Sequence, residues 1–417
     1  MARVLLACWG SYGDLFPYLA IAEALTARGH DPVIASCPSY RELVEGLGVR
    51  FRPLRPDARP DDTALVARLM DPARGTEVLL RDVLMPAVEE SLTDVEPAVA
   101  EADIVVSHPV TFAVPIAAER LGRRWLASVL APMSFFSPTD FPVVPNAPGL
   151  DVLRHLGPWT GRLVRALAMR ATRAWVEPVA AQRRRFGLPP GRHPLFDGQF
   201  SPHGTLALFS DVLGAPQPDW PPHTTVTGFP FFNRAVEMPA AVTAFLDAGP
   251  APVVFTLGSA AVHAAGRFFD ESLEAVRAIG GRALLLAGPF AAGAPSLPDG
   301  VLAVASAPHD QVFPRAAAIV HQGGVGTTGQ AMRSGRPQLV VPHAHDQYDN
   351  AMRVRRAGIG RVLFATRYSA AKAAAALTAL RADVAMAARA ADVGRRVAAE
   401  RGAEAAAGVI ERTLERA

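Results

Sequence analysis

Between Val320 and Asn350 the chain reads VHQGGVGTTGQAMRSGRPQLVVPHAHDQYDN. An apolar run ending at Val320 is followed by His321-Gln322-Gly323-Gly324-Val325-Gly326-Thr327-Thr328, then by a helical run over Gln330 to Arg333. Gly335 and Pro337 stop that helix, Gln338 to Val341 returns as a strand, and Pro342 opens a polar loop with His345, Asp346, Gln347 and Asn350. Glycines let a backbone approach a ligand closely. At a helix N-terminus the unpaired N–H groups and the helix dipole both favour an anion. Thr327 and Thr328 add hydroxyl donors and His321 a ring donor, while Asp346 and Gln347 set a carboxylate beside an amide, a pair suited to a polyol. Phosphate at one strand end and hydroxyls at the next describe a nucleotide-sugar.

The elements that must position these groups are alternating strands and helices. Arg3 to Cys8, Pro32 to Ser36, Ile104 to Ser107, Trp125 to Leu130 and Leu206 to Phe209 are predicted strands. The pattern restarts with strands over Pro252 to Leu257, Arg282 to Ala287, Val301 to Ala305, Gln338 to Val341 and Arg361 to Phe364. Val49 to Pro60 and Pro216 to Phe232 read as connections rich in proline. A second small turn, Gly258-Ser259, faces the first half and joins the donor-binding residues. With 417 residues, two domains are expected.

The first βα turn, Gly10-Ser11-Tyr12-Gly13-Asp14, lacks G-x-G-x-x-G, so a bound dinucleotide is not expected. Asp14 reads either as a helix cap or as a base taking the proton of an acceptor hydroxyl. His108, at the end of a strand, is the alternative base. The aromatic, proline-broken stretch from Pro132 to Pro148, with Met133, Phe135 and Phe136, reads as an apolar acceptor wall. Tyr12, Phe16, His108 and Phe112 complete the candidate acceptor residues.

Composition excludes several classes. Net charge is +3 with Arg and Asp/Glu interspersed, which suggests no nucleic-acid face, and Arg183-Arg184-Arg185 reads as a solvated helix face. No apolar run reaches the roughly 20 residues of a membrane span, and the short apolar start lacks a cleavage-like end, so a cytoplasmic protein is expected. Peripheral membrane contact is expected only if the acceptor is a lipid. Cys8 and Cys37 read as small buried groups. No D-x-D or His/Cys cluster suggests a metal.

The pattern H-x-G-x-x-G-T, G-x-P and P-x-x-x-D-Q resembles the donor signature of family 1 glycosyltransferases, in its bacterial branch. This resemblance implies the GT-B fold: α/β, two facing Rossmann-like domains and a C-terminal helix crossing back to the first. It places acceptor binding in residues 1–225, nucleotide-sugar binding in 226–396, and the returning helix in 397–417. Gly13-Asp14-Leu15-Phe16-Pro17 resembles the family's catalytic loop, with Asp14 where many members have the catalytic histidine. The implied activity is metal-independent, inverting transfer of a hexose from a nucleotide diphosphate sugar, UDP-glucose being favoured, to a hydroxyl of an apolar small molecule, with no cofactor. Ser201-Pro202-His203-Gly204, Asp219-Trp220-Pro221 and Thr227-Gly228-Phe229-Pro230 also resemble the sugar-transferring subunit of rhamnolipid rhamnosyltransferase, which points to dTDP-rhamnose and a hydroxy-fatty-acid-type lipid. Among rivals, a pyridoxal-phosphate phosphorylase needs a Schiff-base lysine, and the sole lysine, Lys372, lies in an alanine-rich helix. A nucleotide-sugar epimerase shares the fold. A non-catalytic partner would not be expected to keep His321, Asp346 and Gln347.

Overall fold

The computed structural model describes all residues except 58, 60, 61, 146, 147, 234, 235, 294–296 and 417. Parts of the Val49 to Pro60 connection and of the acceptor wall thus lie outside the described residues. Among the described residues thirteen strands form two wholly parallel sheets. The first contains β1 (Arg3–Ala7), β2 (Asp31–Ser36), β3 (Arg50–Pro53), β4 (Ile104–Ser107), β5 (Trp125–Val129), β6 (Thr205–Ala207) and β7 (Thr224–Val226). Their spatial order is β3-β2-β1-β4-β5-β6-β7. The second contains β8 (Val253–Thr256), β9 (Ala283–Leu286), β10 (Val301–Val304), β11 (Ala318–His321), β12 (Gln338–Val340) and β13 (Gly360–Val362), in the order β10-β9-β8-β11-β12-β13.

Parallel strands are covered by helices on both faces, which explains why β4, β5, β8, β9 and β11 are buried at every position and mostly apolar rather than alternating. Two strands depart from the expected connections. Arg50–Pro53 pairs with β2, with only Phe51 buried, and Thr224–Val226 pairs with β6 while half-buried. Both are edge strands, where a proline or polar residues cost no ladder bond and hide the strand from a pattern reading.

Both sheets reverse winding direction once, between β1 and β4 and between β8 and β11. In open α/β sheets the crevice beyond the strand C-termini at such a reversal is where ligands bind. The two crevices meet: a Cβ added to Gly326 would lie 3.5 Å from the Gly13 Cα. The chain ends in the helix Gly402–Glu415, separated from Val384–Ala398 by a short break where one continuous helix from Val397 was expected. Ala406, Ala407 and Ile410 of this last helix join the first core, and Arg28, at the end of the helix Tyr12–Ala27, pairs with Glu411 at 2.6 Å. The C-terminal segment therefore crosses back to the first domain. Cys8 and Cys37 are buried, and burial pushes the Cys8 thiol up. Each arginine of Arg183-Arg184-Arg185 meets a carboxylate, from Glu119, Glu177 and Glu89 in turn.

Candidate active site

The helix Tyr12–Ala27 starts earlier than its apolar periodicity indicates, and its N-cap is Ser11. Asp14 is the third residue of its first turn and closes a capping box. Its Oδ2 accepts from the Ser11 N–H at 2.7 Å and the Ser11 hydroxyl at 3.2 Å, and Ser11 Oγ accepts from the Gly13 N–H. The other oxygen, Oδ1, lies 3.4 Å from His108 Nε2. The two alternative bases are therefore partners, one from each side of the first sheet's reversal. The Val110 N–H donates to His108 Nδ1, so the neutral ring carries its proton on Nε2, facing Asp14. His108 is 8% exposed, whereas the Asp14 side chain is 31% exposed. Asp14 is thus the more open of the two to the crevice.

Opposite stands the β11 turn. The helix there is Val325–Arg333, with Gly324 as N-cap, so it begins inside the glycine stretch and not at Gln330. Its first backbone bond runs from Thr328 N to Gly324 O at 2.9 Å, leaving the N–H groups of Val325, Gly326 and Thr327 ahead of it. Thr327 and Thr328 stand in this first turn, and the buried Thr328 hydroxyl has no protein partner. Gly323 has φ +90°, and a Cβ there would come within 2.9 Å of Gln347 O, so the turn requires glycine. Gly258, after β8, has φ +68° and lies under the Gln322 amide, 2.2 Å from where a Cβ would be; Ser259 follows it at the same strand end. The turns after β8 and β11 thus interlock.

His321 requires a correction. Expected as a ring donor to phosphate, it is fully buried, its Nδ1 accepts from the Gly323 N–H at 3.1 Å, and its Nε2 lies 2.9 Å from Gln338 Oε1. Burial pulls its pKa down to about 4. Both ring nitrogens are occupied, so His321 shapes the glycine turn instead of facing a ligand.

The β12 loop carries the predicted polyol groups. Asn350 Nδ2 donates to Asp346 Oδ2 at 2.7 Å and to Gly323 O at 2.9 Å, tying the carboxylate to the β11 turn. Gln347 Oε1 accepts from the N–H groups of His343 and Ala344, which folds the loop over the start of the helix Gln347–Arg356. Burial first, and the negative charge of Asp14 second, push the Asp346 carboxyl up to about 7. The two carboxylates therefore sense each other across the crevice.

The predicted acceptor residues divide. Tyr12 and Phe16 stack at 5.2 Å beside Asp14, against Tyr40 and Phe232. Phe112 and Phe135 line a cavity of about 570 Å³ with Phe200 and Trp220, a cavity whose wall also carries the charged side chains of Glu119, Arg165, Arg183, Arg192, Asp197 and Asp219. Phe135 stacks on Trp220 with centroids 4.0 Å apart. Phe136, left-handed at φ 45°, packs on Phe196 and does not line that cavity, nor does Met133.

Three features escaped sequence reasoning. Ser11-x-x-Asp14 is a capping-box spacing, a signal that was available. Asp349-x-x-x-Arg353 is an ion-pair spacing on a helix, but nothing local points it to Asp140. Thr76 Oγ1 meets His345 Nδ1 at 3.2 Å, a contact 269 residues apart that no local pattern encodes. Among the described residues no cluster of three or more His, Cys, Asp or Glu could hold a metal ion, and no helix is long and apolar enough to cross a membrane.

Residues 287–412 match the family model "Erythromycin biosynthesis protein CIII-like, C-terminal domain". The chain is 35% identical to O-mycaminosyltylonolide 6-deoxyallosyltransferase of Streptomyces fradiae, covering 99% of this chain and 98% of the relative. It is 32% identical to the glycosyltransferase GtfE of Amycolatopsis orientalis over 86% and 85% of the two chains. The calicheamicin glycosyltransferase CalG4 has the same fold, with a TM-score of 0.73 over 100% of this chain and 99% of that one at 20% identity. VinC in complex with dTDP gives 0.69 over the full length of both at 24%. None of these relatives is named as a rhamnolipid enzyme. The chain belongs to family 1 of the glycosyltransferases, of the GT-B type, and is a glycosyltransferase.

Proposed function

We propose that the protein transfers a hexose from a thymidine diphosphate sugar to a hydroxyl of an apolar natural product, with inversion and without a metal. The observation that carries this reading is the meeting of the two crevices, which sets Asp14 across from the N-terminus of Val325–Arg333. The acceptor oxygen attacks the anomeric carbon, its proton passes to the Asp14 carboxylate, and the bond to the diphosphate breaks. The departing negative charge falls to the N–H groups of Val325, Gly326 and Thr327 and to the threonine hydroxyls. Preorganised donors of this kind are typically worth about 3–4 kcal/mol each. A single displacement inverts the anomeric centre. Asp346 and Gln347 select among sugar hydroxyls, and the 570 Å³ cavity takes the apolar body of the acceptor, in the usual size range for such ligands.

Thymidine is supported by relatives: the 35% relative is named for a 6-deoxyallosyl donor, and VinC and the spinosyn rhamnosyltransferase SpnG were solved with thymidine diphosphate. UDP-glucose, favoured by the Asp346-Gln347 pair, is the second reading, supported by a vancomycin aglycone glucosyltransferase at 29% identity. A thermal-shift screen of TDP- and UDP-sugars separates them, because stabilisation grows with the logarithm of ligand saturation. Larger shifts with UDP-glucose than with any TDP-sugar would replace the first reading by the second. The anomeric configuration of the product, read by proton coupling, tests inversion.

A further inference from the structure

The loop 137–143 of the first domain is strung between two anchors. At one end Asp219, from the β6–β7 connection, accepts from the Ser137 hydroxyl at 2.9 Å. At the other end the anchor belongs to the second domain. Arg353 donates from Nη1 to Asp140 Oδ2 and from Nε to Asp349 Oδ2, both at 2.6 Å, and Asp349 Oδ1 accepts the Val143 N–H at 3.1 Å. Val143 packs on Tyr348 and Met352 of the same helix. The Arg353 side chain is 4% exposed and that of Asp349 0%. Removing one partner of such a buried network leaves a desolvated charge unpaired, so the network forms or releases as a unit. The loop is therefore docked or undocked, with little between.

Each end of this connection reaches a substrate region. Pro138, inside the loop, lines the 570 Å³ cavity. The helix Gln347–Arg356 begins at the Asp346-Gln347 pair, and Arg353 lies six residues, about 9 Å, along it. We propose that Arg353 is a positioning residue that couples the nucleotide-sugar site to the acceptor wall. A donor that fixes the start of the helix fixes Arg353. Through Asp140 it fixes loop 137–143 and the cavity wall. The inference rests on the donor reading given above, and by linkage an occupied acceptor cavity tightens donor binding by the same factor. A second cross-domain contact, Thr76 to His345, offers a competing route through residues 69–77 on the other flank of the crevice.

Hydrogen exchange of the full chain with TDP, and separately with UDP, tests this without an acceptor in hand. In the wild type the nucleotide is expected to slow exchange at 323–328 and, at least threefold, at 137–143. Asp140→Asn and Arg353→Lys should keep the protection at 323–328 and lose it at 137–143. A purely structural role would instead speed the loop equally with and without nucleotide. Protection at 323–328 with 137–143 unaffected in the wild type, or with 69–77 responding in its place, overturns this inference alone. So does retention of the loop response in both variants. No protection at 323–328 by either nucleotide overturns the donor reading and this inference with it.

Discussion

Asp14→Asn distinguishes a capping carboxylate from a catalytic one because the structure assigns its two oxygens different tasks. Oδ2 holds the Ser11 N–H and hydroxyl, and the amide oxygen of asparagine keeps that bond. Loss of an N-terminal cap costs about 1 kcal/mol when the side chain is removed, and less when an oxygen remains. The melting temperature should therefore move little. The other position changes more. The amide NH2 would face the Nε2–H of His108, whose Nδ1 is held by the Val110 N–H, so two donors oppose each other where 3.4 Å now separates donor and acceptor. An amide also cannot take the acceptor's proton. Loss of general-base assistance is typically a hundredfold or more, and a hundredfold corresponds to about 2.7 kcal/mol of barrier. Transfer from a TDP-sugar to a hydroxyl acceptor should fall by that factor, while TDP binding, measured calorimetrically, stays within a few-fold. His108→Gln should lose about tenfold, since it removes only orientation. The double variant should be little worse than Asp14→Asn, because residues acting as one unit are not additive. Near wild-type transfer by Asp14→Asn alongside a dead His108→Ala would make His108 the base and refute this reasoning.

Asp346→Asn should remove one contribution by which the ligand-free protein loses stability as pH rises. In the fold this carboxyl is raised from 3.8 to about 7, so its ionisation opposes folding, and stability from this source is lost as pH rises from about 4 to about 7. On going from pH 5 to pH 8 the variant should gain melting temperature relative to the wild type, by less than a fully buried group would give. An unchanged difference would place the carboxyl in the ordinary range. His321→Ala should lower stability by on the order of 2–4 kcal/mol in chemical denaturation and weaken TDP binding through the turn it shapes, because it empties a buried site and strands the Gly323 N–H. Preserved stability with lost turnover would restore the ring to the phosphate. Gly258→Ala should reduce TDP affinity at least tenfold, since a methyl group there displaces the Gln322 amide from between the two turns. Saturating EDTA should leave transfer intact; a loss restored by magnesium would refute the metal-free mechanism.

The parts legible in the sequence are those whose cause is local. Buried parallel strands must be apolar on both faces, so Ile104–Ser107 and Ala318–His321 stood out as apolar runs. The strand ends then located the glycine turns. The edge strands Arg50–Pro53 and Thr224–Val226 were hidden because they need no such burial. The nature of a side chain could be read at Asp14, His108, His321 and Asp346, but its direction could not. Direction depends on partners far away in sequence: Val110 and Asp14 for His108, and Gln338 for His321. The error at His321 has that origin. A histidine at a strand end next to glycines is chemically able to face phosphate, but here β12 supplies Gln338 at 2.9 Å and turns the ring inward.

The placement of charge also explains how one crevice can hold two carboxylates close to a leaving diphosphate. Asp14 stands at a helix N-terminus and takes two donors from Ser11, so the protein supplies positive ends to it directly. Asp346 receives the Asn350 amide and feels Asp14 as well, and its carboxyl is raised to about 7. Near neutral pH the Asp346 carboxyl thus exists in part as a neutral acid. A neutral Asp346 donates as well as accepts toward a sugar hydroxyl and adds no charge against the diphosphate. In the proposed mechanism the base and the sugar selector are thus set apart by environment and not by residue type.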